Sequence, residues 1–177
     1  MIIEDFDYFL PKRLIAQQPS VPKSDSKLLV SKSEKVIPFF NLPKILNKKD
    51  LLIFNDTKVV PAIIKGKVNN NKVLITLHTK NQSGNWIAFS KPSKKIFKGD
   101  EVFFENTLKA YVVEKKNAHI LLKFDIEETK LFTFLNKFGD LPVPPYINNI
   151  PNRKYDESNY QSIFAKPLCA FASPTAS

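Results

Sequence analysis

A single cysteine, Cys169, in 177 residues excludes an internal disulfide and any zinc cluster built on thiolates, and it fits a reducing compartment. Arginine is almost as scarce. Arg13 and Arg153 stand alone, and lysine supplies the rest of the 27 basic side chains. Since arginine makes the forked contacts to phosphate, a bidentate phosphate site has few candidates here. No apolar run approaches the ~18 residues of a membrane span. The opening MIIEDFDYFLPKR carries acids near its start and no long apolar core, so it lacks the charge order of a signal peptide. These features lead us to expect a cytoplasmic protein without a membrane partner.

What is present is a basic, globular chain. Hydrophobic residues make up 43%, enough for a core at a length where folding buries about 70% of the unfolded surface. The length suits one domain, or a small domain plus part of another. Net charge is +10 with a pI near 9.6, which attracts a polyanion through counterion release. A second reading of that charge stays open. Only 4 glycines accompany many Lys, Asn, Ile and Phe, a mixture that a codon bias toward A and T also produces.

One stretch sets an apolar run directly against a polar corner: Asp50-Leu51-Leu52-Ile53-Phe54-Asn55-Asp56-Thr57-Lys58-Val59-Val60-Pro61. Continuous apolarity over Leu51 to Phe54 predicts a strand covered on both faces. Asn55, Asp56 and Thr57 then supply donors, acceptors and one carboxylate at its carboxyl end, where ligands of α/β sheets tend to bind. The same three residues are also ordinary turn formers that satisfy their own backbone.

After Pro61 come short apolar stretches at Ile63 to Val68, Val73 to His78, Trp86 to Phe89, Glu101 to Phe104, Leu108 to Val113 and His119 to Phe124. Turn formers separate most of them, notably Asn69-Asn70-Asn71 and Lys98-Gly99-Asp100. Several alternate, with Val73, Ile75 and Leu77 against Leu74, Thr76 and His78. This spacing predicts a small antiparallel barrel or sandwich. His78 and His119 lie in these strands without a second ligand at metal spacing, so both read as strand residues and no metal is expected. Leu131, Phe134, Leu135 and Phe138 share a helical face within Ile126 to Phe138, and Gly139 marks the stop. Asp140 to Ile147 then holds three prolines, a stiff segment that Tyr146 ends, with a ring that either stacks on a base or packs on the core.

Several segments together resemble one family. DLLIFNDTKVVPAIIKG is similar to the GDLLVFNDTRVIPARLFG signature of the S-adenosylmethionine:tRNA ribosyltransferase-isomerases of queuosine biosynthesis, with Lys58 and Ile63 at its two arginines. FDYFLPKRLIAQQP, LPVPPYI and YQSIFAK resemble further motifs of that family. Lys23 and Lys27 stand where it usually has arginines, or are simply solvated loop charges. The resemblance implies a larger α/β domain, incomplete here, carrying an inserted small antiparallel β-barrel: residues 1–60 and 126–177 belong to the α/β part and 61–125 to the barrel.

The resemblance also implies the chemistry. The ribosyl portion of S-adenosylmethionine, a co-substrate, moves onto 7-aminomethyl-7-deazaguanine in tRNA and rearranges to epoxyqueuosine, with no metal. A base must remove a proton beside the sulfonium, and a polar wall must stabilise positive charge on the sugar. Asp56 and Thr175 are the catalytic candidates. Asn55 and Thr57 would orient sugar hydroxyls, Lys58 would meet a tRNA phosphate, and Tyr146 would stack on adenine or the modified base. The family's last matching motif runs on through a His that does not follow Ser177, and Cys169 and Ser177 occupy two of its glycines. The expectation is therefore a truncated, monomeric and inactive transferase. Two alternatives are a non-catalytic basic barrel that binds RNA and an inert relic.

Overall fold

The computed structural model describes residues 2–117, 119–144, 146–147, 159–166 and 168–170. It divides into two units, residues 1–53 with 145–150 and residues 54–144 with 151–177.

In the first unit, strands β1 (Lys27–Val30) and β2 (Lys35–Pro38) form an antiparallel hairpin, Lys27 opposite Pro38 and Val30 opposite Lys35. The backbone N–H of Phe39 donates to the Ser26 carbonyl at 2.7 Å and closes the open end. The other regular pieces described in this unit are short 3-10 helices at Ile3–Phe6, Lys12–Leu14, Lys23–Asp25 and Phe39–Lys44. Prolines at positions 11, 22 and 38 each directly precede one, which suits a residue whose φ is preset and whose N–H is missing.

The buried strand expected over Leu51 to Phe54 is not there. Those residues form no strand, and Leu51 and Ile53 are 84% and 88% exposed. An apolar run becomes an interior strand only when neighbours supply hydrogen bonds on its edges and cover on both faces. Among the described residues none does. The described residues do not show the α/β body implied by the resemblance: α-helix Glu128–Phe138 belongs with the barrel, and the strands outside the barrel form two-stranded sheets.

In the second unit, β3 (Lys58–Val59) enters a closed barrel of six strands: β4 (Ile63–Val68), β5 (Asn71–Lys80), β6 (Trp86–Lys91), β7 (Glu101–Phe104), β8 (Leu108–Lys115) and β9 (Ile120–Phe124). The order around it is β4-β5-β6-β9-β8-β7, all antiparallel, and β7 closes back onto β4 at Lys67 opposite Phe103. The predicted alternation holds: Val73, Ile75 and Leu77 are buried, whereas Lys72 and His78 are exposed. Asn69 and Asn70 take left-handed φ of 45° and 65°, a turn whose twist matches the flanking strands and which asparagine tolerates well. Irregularities between Leu77 and Thr79 and between Val112 and Glu114 shift the register, as extra residues do where small barrels bend.

Helix α1 (Glu128–Phe138) places Leu131 and Leu135 in the same apolar cluster as the barrel interior. The Phe132 ring meets Trp86 edge-on with centroids 6.2 Å apart. Glu128 in the first turn and Lys137 in the last suit the helix dipole. Lys80 Nζ donates to Glu128 Oε2 at 2.6 Å, tying the end of β5 to the helix start, with side chains 34% and 48% exposed. A half-exposed pair of this kind contributes little, so Glu128→Gln is expected to lower the unfolding free energy by less than about 1 kcal/mol in urea titration. Past the helix, Asp140 bridges to Ile63 through paired backbone hydrogen bonds of 2.8 and 3.0 Å. Strand β10 (Leu168–Ala170) runs parallel to β3.

Among the described residues no helix is long and apolar enough to cross a membrane.

Candidate functional site

Asn55 to Lys58 lies at the entry to the barrel unit, where a backbone with few hydrogen bonds of its own is held from outside. Asn55 Oδ1 accepts from the backbone N–H of Thr57 at 2.9 Å and also from the Thr57 hydroxyl. The turn reading of these residues is therefore correct as far as it goes, since an Asn side chain caps the backbone two residues on.

A second segment fastens this turn. Gln161 mimics a strand neighbour for Val59. Its Oε1 accepts from the Val59 N–H at 2.8 Å, and its Nε2 donates to the Val59 carbonyl at 3.0 Å. The hydroxyl of Ser162, a buried polar side chain, donates to the Asn55 carbonyl at 3.3 Å and accepts from the Phe164 N–H at 3.2 Å. The backbone N–H of Lys166 donates to the Asp56 carbonyl at 2.7 Å. Phe54 and Phe164 lie ring to ring with centroids 4.4 Å apart, and Tyr160 donates its hydroxyl to the Pro142 carbonyl at 3.2 Å. A buried hydroxyl and a half-buried amide are tolerated because each has partners.

The result is a short polar corner with a fixed backbone. The Asp56 side chain is exposed, and no hydrogen bond or ion pair engages its carboxylate among the described residues. Lys58 is likewise exposed, on β3. The arrangement presents one carboxylate, one hydroxyl and one ammonium within four consecutive residues.

Of the other predicted site residues, Tyr146 belongs to the first unit. It is 58% exposed, so its ring is not part of a core, and its carbonyl accepts from Gln17 Nε2 at 3.2 Å. Thr175 lies outside the described residues. His78 and His119 are strand or strand-edge residues, the former exposed with its ring 6.1 Å from that of Phe89.

Gln161 and Ser162 were missed as positioning residues. The signal available was two polar residues inside a matched motif, Tyr160 to Lys166, about a hundred positions from the turn they hold.

Comparison with known proteins places the chain in a family. A family model described as queuosine biosynthesis protein matches residues 3–177. The S-adenosylmethionine:tRNA ribosyltransferase-isomerase of Roseobacter denitrificans is 36% identical over all of this chain and 54% of its own length. The protein of the same name from Rickettsia bellii is 34% identical over 99% of this chain and 54% of its own. A solved structure of S-adenosylmethionine tRNA ribosyltransferase from Thermotoga maritima is 27% identical, with a TM-score of 0.39 over 81% of this chain and 52% of that one. The chain spans about half the length of the curated relatives it matches. It belongs to the queuosine biosynthesis protein family.

Proposed function

We propose that this chain is one part of an S-adenosylmethionine:tRNA ribosyltransferase-isomerase, contributing the proton-handling corner and the barrel. Under this reading S-adenosylmethionine is a co-substrate, the acceptor is 7-aminomethyl-7-deazaguanine in tRNA, and no metal takes part. Residues 61–125 are the inserted barrel of a larger α/β body to which residues 1–60 and 126–177 contribute, in a cytoplasmic, monomeric protein.

The observation that carries this reading is the fastening of Asn55-Asp56-Thr57 by Gln161, Ser162 and Lys166. These bonds act on backbone atoms and leave the Asp56 carboxylate uncommitted. Such a carboxylate is suited to take the proton beside the sulfonium carbon and to stand near positive charge developing on the sugar. Because Asn55 Oδ1 already accepts from Thr57, the groups that meet sugar hydroxyls are the Asn55 amide donors and the Thr57 oxygen as an acceptor. Lys58 takes a tRNA phosphate as a point charge. Thr175 is the second catalytic residue, and Tyr146 stacks on adenine or on the modified base.

Under this reading the 177 residues alone, about half the length of the curated relatives, are expected not to turn over. The test measures adenine and methionine released from S-adenosylmethionine with precursor-modified tRNA. A fusion of these 177 residues to the remaining length of the Roseobacter denitrificans relative is expected to release both. Asp56→Asn in that fusion is expected to lower kcat by about a hundredfold or more, the usual contribution of a positioned acid or base. Asp56 is exposed, so loss of folding is not the expected cause. Full activity in the Asp56→Asn fusion, or turnover by the 177 residues alone, would count against the proposal.

A further inference from the structure

The barrel's outer wall carries a row of cations, most of which the fold itself does not use. Alternation along β4, β5, β6 and β7 sends Gly66, Val68, Val73, Val102 and Phe104 to the interior, so Lys65, Lys67, Lys72, Leu74, Lys91 and Phe103 share the outer face. The register joins them. Phe103 lies opposite Lys67, and Lys67 opposite Lys72, across β7, β4 and β5. In the next row Lys65 lies opposite Leu74 and Leu74 opposite Lys91, across β4, β5 and β6. These side chains line a shallow groove of about 490 Å³.

Two features of the face are unfavourable to the barrel on its own. Lys67 and Lys72 are like charges placed directly opposite, which destabilises a strand pair. Lys65 has Asp140 at 3.4 Å, but Lys67, Lys72 and Lys91 have no ion pair among the described residues. Besides Asp140, the acid Glu105 stands at the groove's edge. Phe103 is 45% exposed beside these ammonium groups, where an apolar ring gains nothing from water.

We infer that this face, centred on Lys67, Lys72, Lys91 and Phe103, binds the backbone of an unpaired RNA stretch, with phosphates on the lysines and one base stacked on the Phe103 ring. Lysines track phosphates as point charges without reading base edges, and an aromatic ring accepts any base, so the face is sequence-tolerant. An acidic peptide would satisfy the lysines and leave the ring unused. The inference rests on the reading of tRNA as the acceptor, and adds where outside the proton-handling corner the RNA is held.

Fluorescence anisotropy of the whole 177-residue chain with a labelled, unmodified tRNA transcript, from 50 to 200 mM salt, tests it. The wild type should bind with a log K that falls against log salt. K67Q/K72Q/K91Q should reduce that slope by about 2, near 0.7 per lost contact, and weaken binding at least about tenfold at the low-salt end. Phe103→Ala should weaken binding about fivefold or more with the slope unchanged. K12Q/K44Q/K48Q, which removes equal charge from the other unit, should leave the slope near that of the wild type. Thermal melting confirms that the variants are folded.

Equal weakening by both triple variants would overturn the inference in favour of net charge. A neutral Phe103→Ala would overturn it in favour of bare polyanion attraction. Binding by the wild type that K67Q/K72Q/K91Q leaves unchanged would sink this face alone, whereas a wild type that binds no tRNA would sink the acceptor reading with it.

Discussion

Phe104→Ala is expected to lower the free energy of unfolding by about 3–5 kcal/mol, the usual cost of removing a fully buried phenyl ring. Phe104 is completely inaccessible, and its ring stacks on that of Phe124 with centroids 6.0 Å apart. It also occupies space that one particular neighbour leaves open. A Cβ built on Gly66 would lie 2.9 Å from Phe104 Cε1 and 3.0 Å from Val102 Cγ1. The ring and the glycine are therefore one packing unit, and a barrel this small has nothing else to fill the gap.

Coupling between the two positions makes the prediction specific. Gly66→Ala in the wild type should cost about 1–3 kcal/mol through overpacking. In a Phe104→Leu background the same change should cost distinctly less, because the shorter side chain yields the space. A double-mutant cycle by urea unfolding would give a coupling of about 0.5–3 kcal/mol if the ring and the glycine are in contact. Strict additivity would show that the ring does not rest on Gly66.

Gly139→Ala is the second large effect, and its cause is different. Gly139 follows α1 with φ −80° and ψ 155°, a conformation open to any residue. The glycine expected at this stop is present, but a left-handed cap is not the reason for it. A Cβ here would fall far inside contact distance of the Pro61 carbonyl oxygen and 2.6 Å from that of Leu135. Both are backbone atoms, and the Leu135 carbonyl already accepts from the Gly139 N–H at 2.7 Å. Neither can step aside as a flexible side chain would. Relief requires the helix end to move away from the entry to β4, which strains the Ile63 to Asp140 bridge.

The expected cost of Gly139→Ala exceeds the about 1–3 kcal/mol of ordinary overpacking. Gly84→Ala is the control: nothing lies within 4 Å of its Cβ position, but its φ is +77°. There only the backbone penalty applies, about 1–2 kcal/mol for an L-residue held in the left-handed region. Chemical denaturation of both variants gives the ranking. A Gly139→Ala protein no less stable than Gly84→Ala would mean that the helix and β4 do not meet as closely as described.

Much of the barrel was legible because its signals are local. The expected stretches Ile63 to Val68 and Glu101 to Phe104 became β4 and β7 with the same ends, and helical spacing within Ile126 to Phe138 became α1. Asparagine at positions 69 and 70 announced its own turn. The turn at Glu105 and Asn106, with φ of 46° and 54°, was not legible, because glutamate is a poor turn former and only closure of β7 against β8 places it there.

Leu51 to Phe54 shows where such reading stops. Four consecutive apolar residues state a demand for cover, and only neighbours can meet it. The same holds for the candidate corner. That Asn55, Asp56 and Thr57 offer a turn and a carboxylate was visible in the residues themselves. That Gln161 would supply both strand hydrogen bonds to Val59, with Ser162 and Lys166 holding the carbonyls of Asn55 and Asp56, joins segments about a hundred residues apart.

By itself the amino-acid sequence determined the period-2 strands, the helix and its end, most of the turns, and the motifs shared with the queuosine biosynthesis family, since each depends on neighbours within a few residues. Only the tertiary structure decided which strands close the barrel, that β6 pairs with β9, that Gly66 makes room for Phe104, and that lysines from three strands meet on one face. Those outcomes depend on contacts whose favourable energy appears only after distant segments have been brought together.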